Sequence, residues 1–423
     1  MRCCVQVATS RLQLVKCRFN FSQLAFDWTV HMNTLWWNII ASLGLVAAGA
    51  PLLYILATTL AALKPLRKSA PSSTPRRIAI LIPAHNEALL IGDTVRNTFE
   101  QSYPRDLYTV FVIADNCTDD TAALAREAGA RVLERSSSPG KGQGLNDAFH
   151  MLMLEDWSAF VVLDADSELH PHALEMLDRE LASGAAVIQI RIAVQNPDDS
   201  MVTRAMELSQ ASFNALRPRG RMALGLSAGI NGNGFCVTRD TIVKVPYLAH
   251  SIVEDIEYHM LLLKAGIQVR FLDSIWVKAQ IPIGGRGARV QRVRWERGRI
   301  ITIRNYAPGL LRDLLRKQPY AVDGLVDVLM PPVSLVALGL LPALVVGSSV
   351  QKTLAIVGCT ILCFHYYLAA VRYGKVRSLL LLSAYIPWYI VSKTWVVLAS
   401  MFTERKLAWE RTDRHKPTSG KKS

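Results

Sequence analysis

Cysteine is scarce in this 423-residue chain, and no two cysteines form a Cys-X-X-Cys pair. Three of the seven lie in the first twenty residues, and the others are scattered at Cys117, Cys236, Cys359 and Cys363. This spacing argues against a structural zinc site and against a disulfide framework. A reducing environment, such as the cytosolic side of a membrane, suits this cysteine usage.

Charged residues are also few, at 19% of the chain against 51% hydrophobic residues, which excludes an intrinsically disordered protein. Acidic residues are fewer than basic ones: the chain has 34 Asp+Glu and 48 Lys+Arg, which gives a formal net charge of +14. Such a surplus suggests nucleic acid, anionic lipid or a phosphorylated substrate as partner. The basic residues cluster beside apolar runs and form no stripe with interleaved aromatics, so we expect no nucleic-acid partner.

The first long apolar run, residues 35–63, has no charged residue and opens with Trp36 and Trp37. It exceeds the length of about 20 residues that a transmembrane helix needs, and the core of about 7–15 residues of a cleaved signal peptide. The basic linker that follows, residues 64–77, is predicted to lie in the cytoplasm. Residues 1–34 form an N-terminal extension whose basic residues favour the opposite orientation, a conflict that a start at Met32 would remove.

Three more apolar runs occupy the C-terminal third. We predict an amphipathic interfacial segment at 301–321 and transmembrane helices at 322–350 and 353–371. The run at 378–402 contains Lys393, and a lysine at the bilayer centre costs a few kcal/mol. Basic residues flank both ends of this run, so we predict an interfacial or re-entrant helix there and a basic cytosolic tail at 403–423.

Residues 78–300 have the alternating pattern of an α/β domain. Helical patterns separate short apolar runs of β-forming residues at Ile78–Pro83, Thr109–Ala114 and Ala159–Leu163. The helical patterns are at Gly92–Gln101, Thr121–Gly129 and Gly144–Leu154. Such a sequence predicts a parallel sheet covered on both faces, whose ligands bind beyond the carboxyl ends of the strands.

Carboxylates follow two of these predicted strands. Asp115 ends the second strand and is the candidate ligand residue there, while Thr118 to Asp120 are expected to cap the next helix. Asp164 and Asp166 follow the third strand, and alternate residues of an extended chain point the same way. Two hard oxygen ligands suit Mg²⁺ or Mn²⁺ bound to a diphosphate, although a solvated turn would have the same pattern.

Three further groups of residues are candidates for chemistry. Glu254 and Asp255 precede a helical pattern, where Asp255 could act as a general base or simply favour the positive end of the helix. Lys141, in Pro139–Gly142, could lie in a phosphate-binding loop or in a plain one, and the spacing is not that of a P-loop. Arg294 and Trp295 offer a fork for phosphate oxygens beside a ring for a sugar face, although most of the six arginines in 286–299 could simply be cytoplasmic charge near a bilayer.

Taken in order, the D, DxD, ED and QxxRW motifs resemble those of the membrane-integrated family 2 glycosyltransferases, whose core is that of cellulose, chitin and hyaluronan synthases. The resemblance extends over about residues 77–300, with a weaker similarity at 409–412. It implies a GT-A type domain that binds a nucleotide sugar and is inserted between transmembrane helices. It also implies an inverting transfer from a UDP-sugar, dependent on Mg²⁺ or Mn²⁺.

The resemblance assigns roles by position. Asp255 matches the catalytic base, with Glu254 beside it, and Asp166 matches the metal-coordinating position, with Asp164 contacting both metal and UDP. The other nucleotide-binding positions are Asp115, Lys141, Gln291, Arg294 and Trp295, together with Glu87 at the end of the opening segment Ile78–Glu87.

The acceptor is left open by the motifs. A growing polysaccharide is the first expectation, with membrane lipids around the enzyme and export subunits as further partners, in a bacterial inner membrane with the catalytic domain in the cytoplasm. The alternatives are transfer of one sugar to a membrane lipid and a non-catalytic membrane scaffold. Val253 replaces the usual threonine before the Glu-Asp pair, and no FxVTxK-like gating loop is present. These departures and the few predicted spans count against secretion of a polymer by a single chain.

Overall fold

The computed structural model describes residues 21–66, 74–249, 251, 253–283 and 285–401, with the backbone alone for 21–34 and 285–290. Residues 1–20 of the predicted extension, half of the basic linker, the basic tail and the similarity at 409–412 lie outside the described residues.

The central sheet has eight strands in the order β3-β2-β1-β4-β7-β6-β8-β5. The strands are β1 (Ile78–Ala84), β2 (Tyr108–Asp115), β3 (Arg131–Arg135), β4 (Ala159–Val162), β5 (Ser167–Leu169), β6 (Val187–Val194), β7 (Phe235–Thr238) and β8 (Val269–Ala279). The three predicted strands therefore exist as β1, β2 and β4, within about a residue of their expected bounds. Strands β1, β2 and β4 are parallel, as the uninterrupted apolar runs predicted, and β3, which was not predicted, is parallel to β2.

The expectation of a wholly parallel sheet is wrong for its second half. Strand β7 is antiparallel to both β4 and β6, and β5 is antiparallel to β8. The chain enters β7 through a turn at the carboxyl edge, where Gly232 and Gly234 have φ of +72° and +67°. Residues 195–234 leave the sheet at the end of β6 and return to the same edge, so β7 runs back beside β6.

Helices cover both faces of the sheet, as predicted. Alternate residues of β1 serve two cores: Ile80 packs with Ile91 and Val95 on one face, and Leu81 packs with Phe149 on the other. The helices of this domain are α2 (Ile91–Thr98), α3 (Thr121–Glu127), α4 (Lys141–Leu152), α5 (Ala173–Ala182), α6 (Met201–Ala211), α7 (Arg217–Ala223), α8 (Arg239–Lys244) and α9 (Glu254–Lys264), with a π-helical turn at Ser212–Leu216.

Further helices flank the domain in the sequence. They are α1 (Phe21–Ala61), α10 (Gly285–Leu315), α11 (Pro319–Leu329), α12 (Val333–Val346), α13 (Ser349–Arg372), α14 (Val376–Leu382) and α15 (Ile386–Met401). All of them except the arginine-rich α10 are largely apolar. Among the described residues, two segments are long and apolar enough to cross a membrane, Leu35–Ala61 and Ser349–Arg372. They coincide with two of the three predicted spans.

The other two predicted membrane segments are bent helix pairs. The predicted span 322–350 consists of α11 and α12, at 71° to each other, and the predicted helix 378–402 consists of α14 and α15, at 86°. Pro331 and Pro332 explain the first break, since proline has no N–H to donate and restricts the residue before it. If each pair counts as one broken span, the described chain has up to four.

Candidate active site

The carboxyl ends of β1, β2 and β4 lie at one edge of the sheet, and the predicted carboxylates gather there. Glu87 follows β1, Asp115 ends β2, and Asp164 follows β4. This is the edge at which ligands bind in parallel sheets.

Asp115 is 1% exposed and accepts hydrogen bonds on both carboxylate oxygens. Oδ1 accepts from the Arg135 guanidinium and from Asn116 Nδ2 at 2.8 Å, and Oδ2 accepts from the backbone N–H of Gly140 at 2.8 Å. The side chain therefore ties the end of β2 to the turn that begins α4. A contact between Asp115 and a nucleotide stays a prediction.

The loop after β1 is fastened to the turn after β2. The backbone N–H of Glu87 donates to Thr121 Oγ1 at 2.8 Å, and that of Ala88 donates to Asp119 Oδ2 at 3.2 Å. Asp119 Oδ1 also accepts from the N–H of Thr121 at 3.0 Å. Of the three residues expected to cap α3, Asp119 thus holds its first turn, while Asp120 occupies the cap position without a side-chain hydrogen bond.

Lys141 is the first residue of α4, where the sequence had predicted a loop. Its Nζ donates to Asp164 Oδ1 at 2.6 Å and to the carbonyl of Gly232 at 2.7 Å, and it lies 3.7 Å from Glu254 Oε1. Burial alone would lower the pKa of Lys141, but the Asp164 and Glu254 carboxylates outweigh it and raise that pKa above its ordinary value. Lys141 is therefore a fixed cation at the centre of the site.

Glu254 and Asp255 form the first turn of α9, as predicted. Burial and the neighbouring Glu254 charge raise the pKa of Asp255 to about 7. A Cβ at Gly232 would lie 3.1 Å from Asp255 Oδ2, so the carboxylate rests against this glycine turn. A carboxylate whose pKa lies near neutrality is suited to accept a proton from a hydroxyl group.

Gly142 allows α4 to approach the chain that precedes α9. A Cβ at this position would lie 2.2 Å from the carbonyl oxygen of Ala249 and 3.3 Å from Cβ of Glu254. The first turn of α4 and the Glu-Asp pair therefore form one packed unit. Lys141 and Gly142 belong to this helix, Pro139 and Gly140 precede it, and a role of the segment in binding phosphate stays a prediction.

Asp164 and Asp166 flank Ala165 directly after β4. Asp164 is partly exposed and Asp166 is buried, and Asn233 holds the turn by accepting from the N–H of Asp164 at 3.1 Å. Within the described residues, no group of three or more His, Cys, Asp or Glu could hold a metal ion. Two carboxylate oxygens fit a divalent cation that takes its remaining oxygen ligands from water and a diphosphate.

Gln291, Arg294 and Trp295 lie in the long helix α10. A Cβ at Gly298 would lie 2.2 Å from Cγ1 of Val253, which directly precedes the Glu-Asp pair. Residues 291, 294 and 298 have the three- and four-residue spacing of one helix face. The structure thus brings this face of α10 to the start of α9, and Trp295 is 40% exposed.

The sequence patterns did not predict a buried ionic cluster that contacts α9 through His259. Arg221, which is fully buried, pairs with Asp323, while Asp327 lies 3.0 Å from Arg217 and 3.2 Å from His259 Nδ1. His259 is one helical turn after Asp255, so the cluster connects α11 to the helix that carries the candidate base. The sequence did contain a signal for this cluster. Asp323 and Asp327 are two carboxylates with helical spacing at the start of an apolar run, where charged residues need partners.

The chain resembles known proteins over this domain. Residues 75–298, more than half of the chain, match the family described as "Glycosyltransferase like family 2". The probable glycosyltransferase YdaM of Bacillus subtilis is 27% identical over 233 residues, 52% of this chain and 55% of the relative. The beta-monoglucosyldiacylglycerol synthase of Nostoc sp. is 28% identical over 230 residues, 52% of this chain and 47% of the relative. The chain thus spans about half the length of these curated relatives.

A solved structure shares the fold over most of the chain. It is the mannosyltransferase PcManGT from Pyrobaculum calidifontis, in complex with GDP-Man and Mn²⁺. The TM-score is 0.55 at 19% sequence identity, over 87% of this chain and 100% of that one.

Proposed function

The chain belongs to the glycosyltransferase-like family 2, and from this premise we propose that it transfers a sugar from a UDP-sugar to an acceptor hydroxyl at a membrane surface, with inversion. The enzyme class, a glycosyltransferase with the GT-A fold, follows from the family and the fold. We propose the identity of the donor, the identity of the acceptor and the roles of individual residues in the reaction.

One observation carries the proposal. Asp255, with a pKa raised to about 7, lies at the same sheet edge as the Lys141–Asp164 ion pair. A proton acceptor and a fixed cation in one packed unit supply the two things that glycosyl transfer needs. The acceptor hydroxyl must lose a proton, and the departing diphosphate must have its charge neutralised.

The proposed mechanism is a single displacement. Asp255 accepts the proton of the acceptor hydroxyl as its oxygen attacks the anomeric carbon from the face opposite the diphosphate. The bond from the anomeric carbon to the diphosphate oxygen breaks, and UDP leaves with its electron pair. Attack opposite the leaving group inverts the anomeric centre, and no covalent enzyme intermediate forms.

Positive charge is proposed to stabilise the departing UDP. Lys141 and Arg294 would donate to diphosphate oxygens, and Trp295 would present its ring to a sugar face. A Mg²⁺ or Mn²⁺ ion held by Asp164 and Asp166 would add charge neutralisation at the same diphosphate. The Mn²⁺ in the complex of the Pyrobaculum mannosyltransferase supports a divalent cation beside the nucleotide sugar.

For the acceptor, we favour a membrane lipid that receives one sugar over a growing polysaccharide. The name of the Nostoc relative, a monoglucosyldiacylglycerol synthase, supports this choice. Apolar side chains exposed on α1, among them Trp36, Leu43 and Val46, support insertion of this helix into a bilayer. An acceptor that resides in the same membrane would then reach the site without leaving the lipid.

The test measures release of the nucleotide by the protein in detergent. A panel of UDP- and GDP-sugars is offered with Mg²⁺ or Mn²⁺, with and without diacylglycerol. We expect one UDP-sugar to release UDP only when metal and lipid are present, and mass spectrometry to find one added sugar per lipid. A ladder of products would instead favour the polysaccharide, and release from GDP-sugars alone would reject the UDP donor. No release from any donor would favour the scaffold alternative.

A further inference from the structure

Lys393, the charge within the apolar run 378–402, has a buried partner. Its Nζ lies 2.6 Å from Oε1 of Glu296, which belongs to α10 and directly follows Trp295. Glu296 is 5% exposed, and Lys393 is the one charged residue of α15. A carboxylate in such a place is stable only when it is paired, and so is a lysine in an apolar helix. Each charge therefore accounts for the other.

A second cation lies farther from Glu296. Nε of Arg299 is 3.7 Å from Oε2 of Glu296, while its Nη1 donates to the carbonyl of Met330 at 2.5 Å. Met330 is at the break between α11 and α12. The Arg299 guanidinium thus interacts with both Glu296 and the backbone at that break. Lys393 lies nearer to the Glu296 carboxylate than Arg299 does.

The opposite side of α10 packs against Val253, two residues before the candidate base. Gly298 packs against Val253, and Arg294 is one helical turn away on the same face. Glu296 is two residues from each of them, which is about 200° around a helix of 3.6 residues per turn. The helix is therefore held between the start of α9 on one side and α15 on the other.

We infer that Lys393 is a positioning residue for the Gln291–Trp295 segment. Its ion pair with Glu296 fixes the rotation of α10 and thereby holds Arg294 on the side of Val253 and the Glu-Asp pair. The role of Arg294 at the diphosphate rests on the proposed function, but the geometric part of the inference does not. The C-terminal helix α15 then supports the site from behind without touching a substrate.

The position of α10 can be measured without knowing a substrate. A Cβ at Gly298 would lie 3.6 Å from Cβ of Val253, within the range of about 3.5–4.5 Å that disulfides span. The reference protein is the full chain with Val253→Cys and Gly298→Cys and with the native cysteines replaced by alanine. Its rate of disulfide formation under mild oxidation, measured by mass spectrometry of the linked peptides, reports how closely α10 meets α9.

In this background, Lys393→Met is expected to slow disulfide formation by about tenfold, the change that about 1.4 kcal/mol produces. Lys393→Arg keeps the ion pair, and so does the charge swap Glu296→Lys with Lys393→Glu. Both variants should form the disulfide at the reference rate. Lys375→Met is the matched control, because Lys375 pairs with buried Glu207 at 2.5 Å, away from α10. The inference is overturned if Lys393→Met leaves the rate unchanged or if the control slows it equally. If Lys393→Met does not fold, the charge-swap variant decides. The inference is also overturned if this variant folds but forms the disulfide more slowly than the reference protein.

Kinetics separate this inference from the proposed function. In the chain with its native cysteines, Lys393→Met should raise KM for the donor more than it lowers kcat, since donor contacts through Arg294 are displaced. A uniform loss of activity with an unchanged KM contradicts the inference. If the wild type releases no nucleotide at all, the proposed function fails, while the disulfide rates still decide the role of Lys393.

Discussion

The ammonium of Lys141 lies 2.6 Å from Oδ1 of Asp164 and so joins the first turn of α4 to the carboxyl end of β4. The same ammonium donates to the carbonyl of Gly232, whose turn supports Asp255. A single cation therefore connects the carboxylate proposed to bind metal with the loop beneath the proposed base.

Replacement of Lys141 by methionine should weaken donor binding. A hydrogen bond to a charged group contributes about 1.5–3 kcal/mol, which corresponds to about 10- to 150-fold in the dissociation constant for UDP. Calorimetric titration of UDP with Mn²⁺ measures the change. Lys278→Met removes an ion pair with Glu168 that joins strand β8 to strand β5. This variant should leave UDP affinity unchanged. Wild-type affinity in Lys141→Met would remove this residue from the nucleotide site.

The pH dependence should report Asp255. Below its pKa of about 7 the carboxyl is protonated and cannot accept a proton, so kcat/KM should rise with pH through about 7. Glu254→Gln removes the negative charge that raises this pKa and should shift the rise to lower pH. Lys141→Met removes a charge that lowers it and should shift the rise to higher pH. Profiles that do not move in these opposite directions would assign the titration to another group.

Gly232→Ala should damage turnover more than donor binding. The residue has φ of +72°, and its new Cβ would lie 3.1 Å from Asp255 Oδ2. The backbone strain costs about 1 kcal/mol of stability, and the displaced carboxylate should lower kcat. Gly225 has φ of +78° with nothing within 4 Å of an added Cβ. Gly225→Ala should thus lose similar stability and keep its kcat, and equal kcat values in the two variants would contradict the contact.

Asp327→Asn should destabilise the whole domain. The substitution leaves the buried guanidiniums of Arg217 and Arg221 short of a carboxylate, and breaking a buried pair costs about 3–5 kcal/mol. Thermal unfolding in detergent measures the loss. Asp93→Asn breaks the exposed pair with Arg96 and should change stability by less than about 1 kcal/mol. Similar melting temperatures for the two variants would show that the cluster contributes little.

Local sequence patterns were enough to predict three of the eight strands and the sheet edge at which the carboxylates that follow them lie. The runs at Ile78, Thr109 and Ala159 are strands because buried parallel strands are apolar on both faces. Asp115 and Asp164 lie near one edge because strand ends meet there, whereas Asp255 reaches this edge through the contact of α9 with the turn at Gly232. The antiparallel β7 was missed, since four residues, Phe235–Thr238, carry too little pattern to identify a strand or its direction.

The contacts that connect distant segments were beyond the sequence. His259 meets Asp327, and Lys393 meets Glu296, only after separate helices have packed. Local spacing predicts which face of a helix is polar but not which partner will cover it. The charge of Lys393 in an apolar run was visible as an anomaly, and its explanation required the fold.

The most direct test of Asp255 as the base compares binding with turnover in Asp255→Asn. Glu257→Gln, which removes a carboxylate from the same helical turn, is the matched control. General base catalysis contributes about 10²–10⁴-fold, so Asp255→Asn should lose UDP release by that factor while it binds UDP as tightly as the wild type. Glu257→Gln should retain both. UDP release at the wild-type rate by Asp255→Asn would contradict the proposed mechanism.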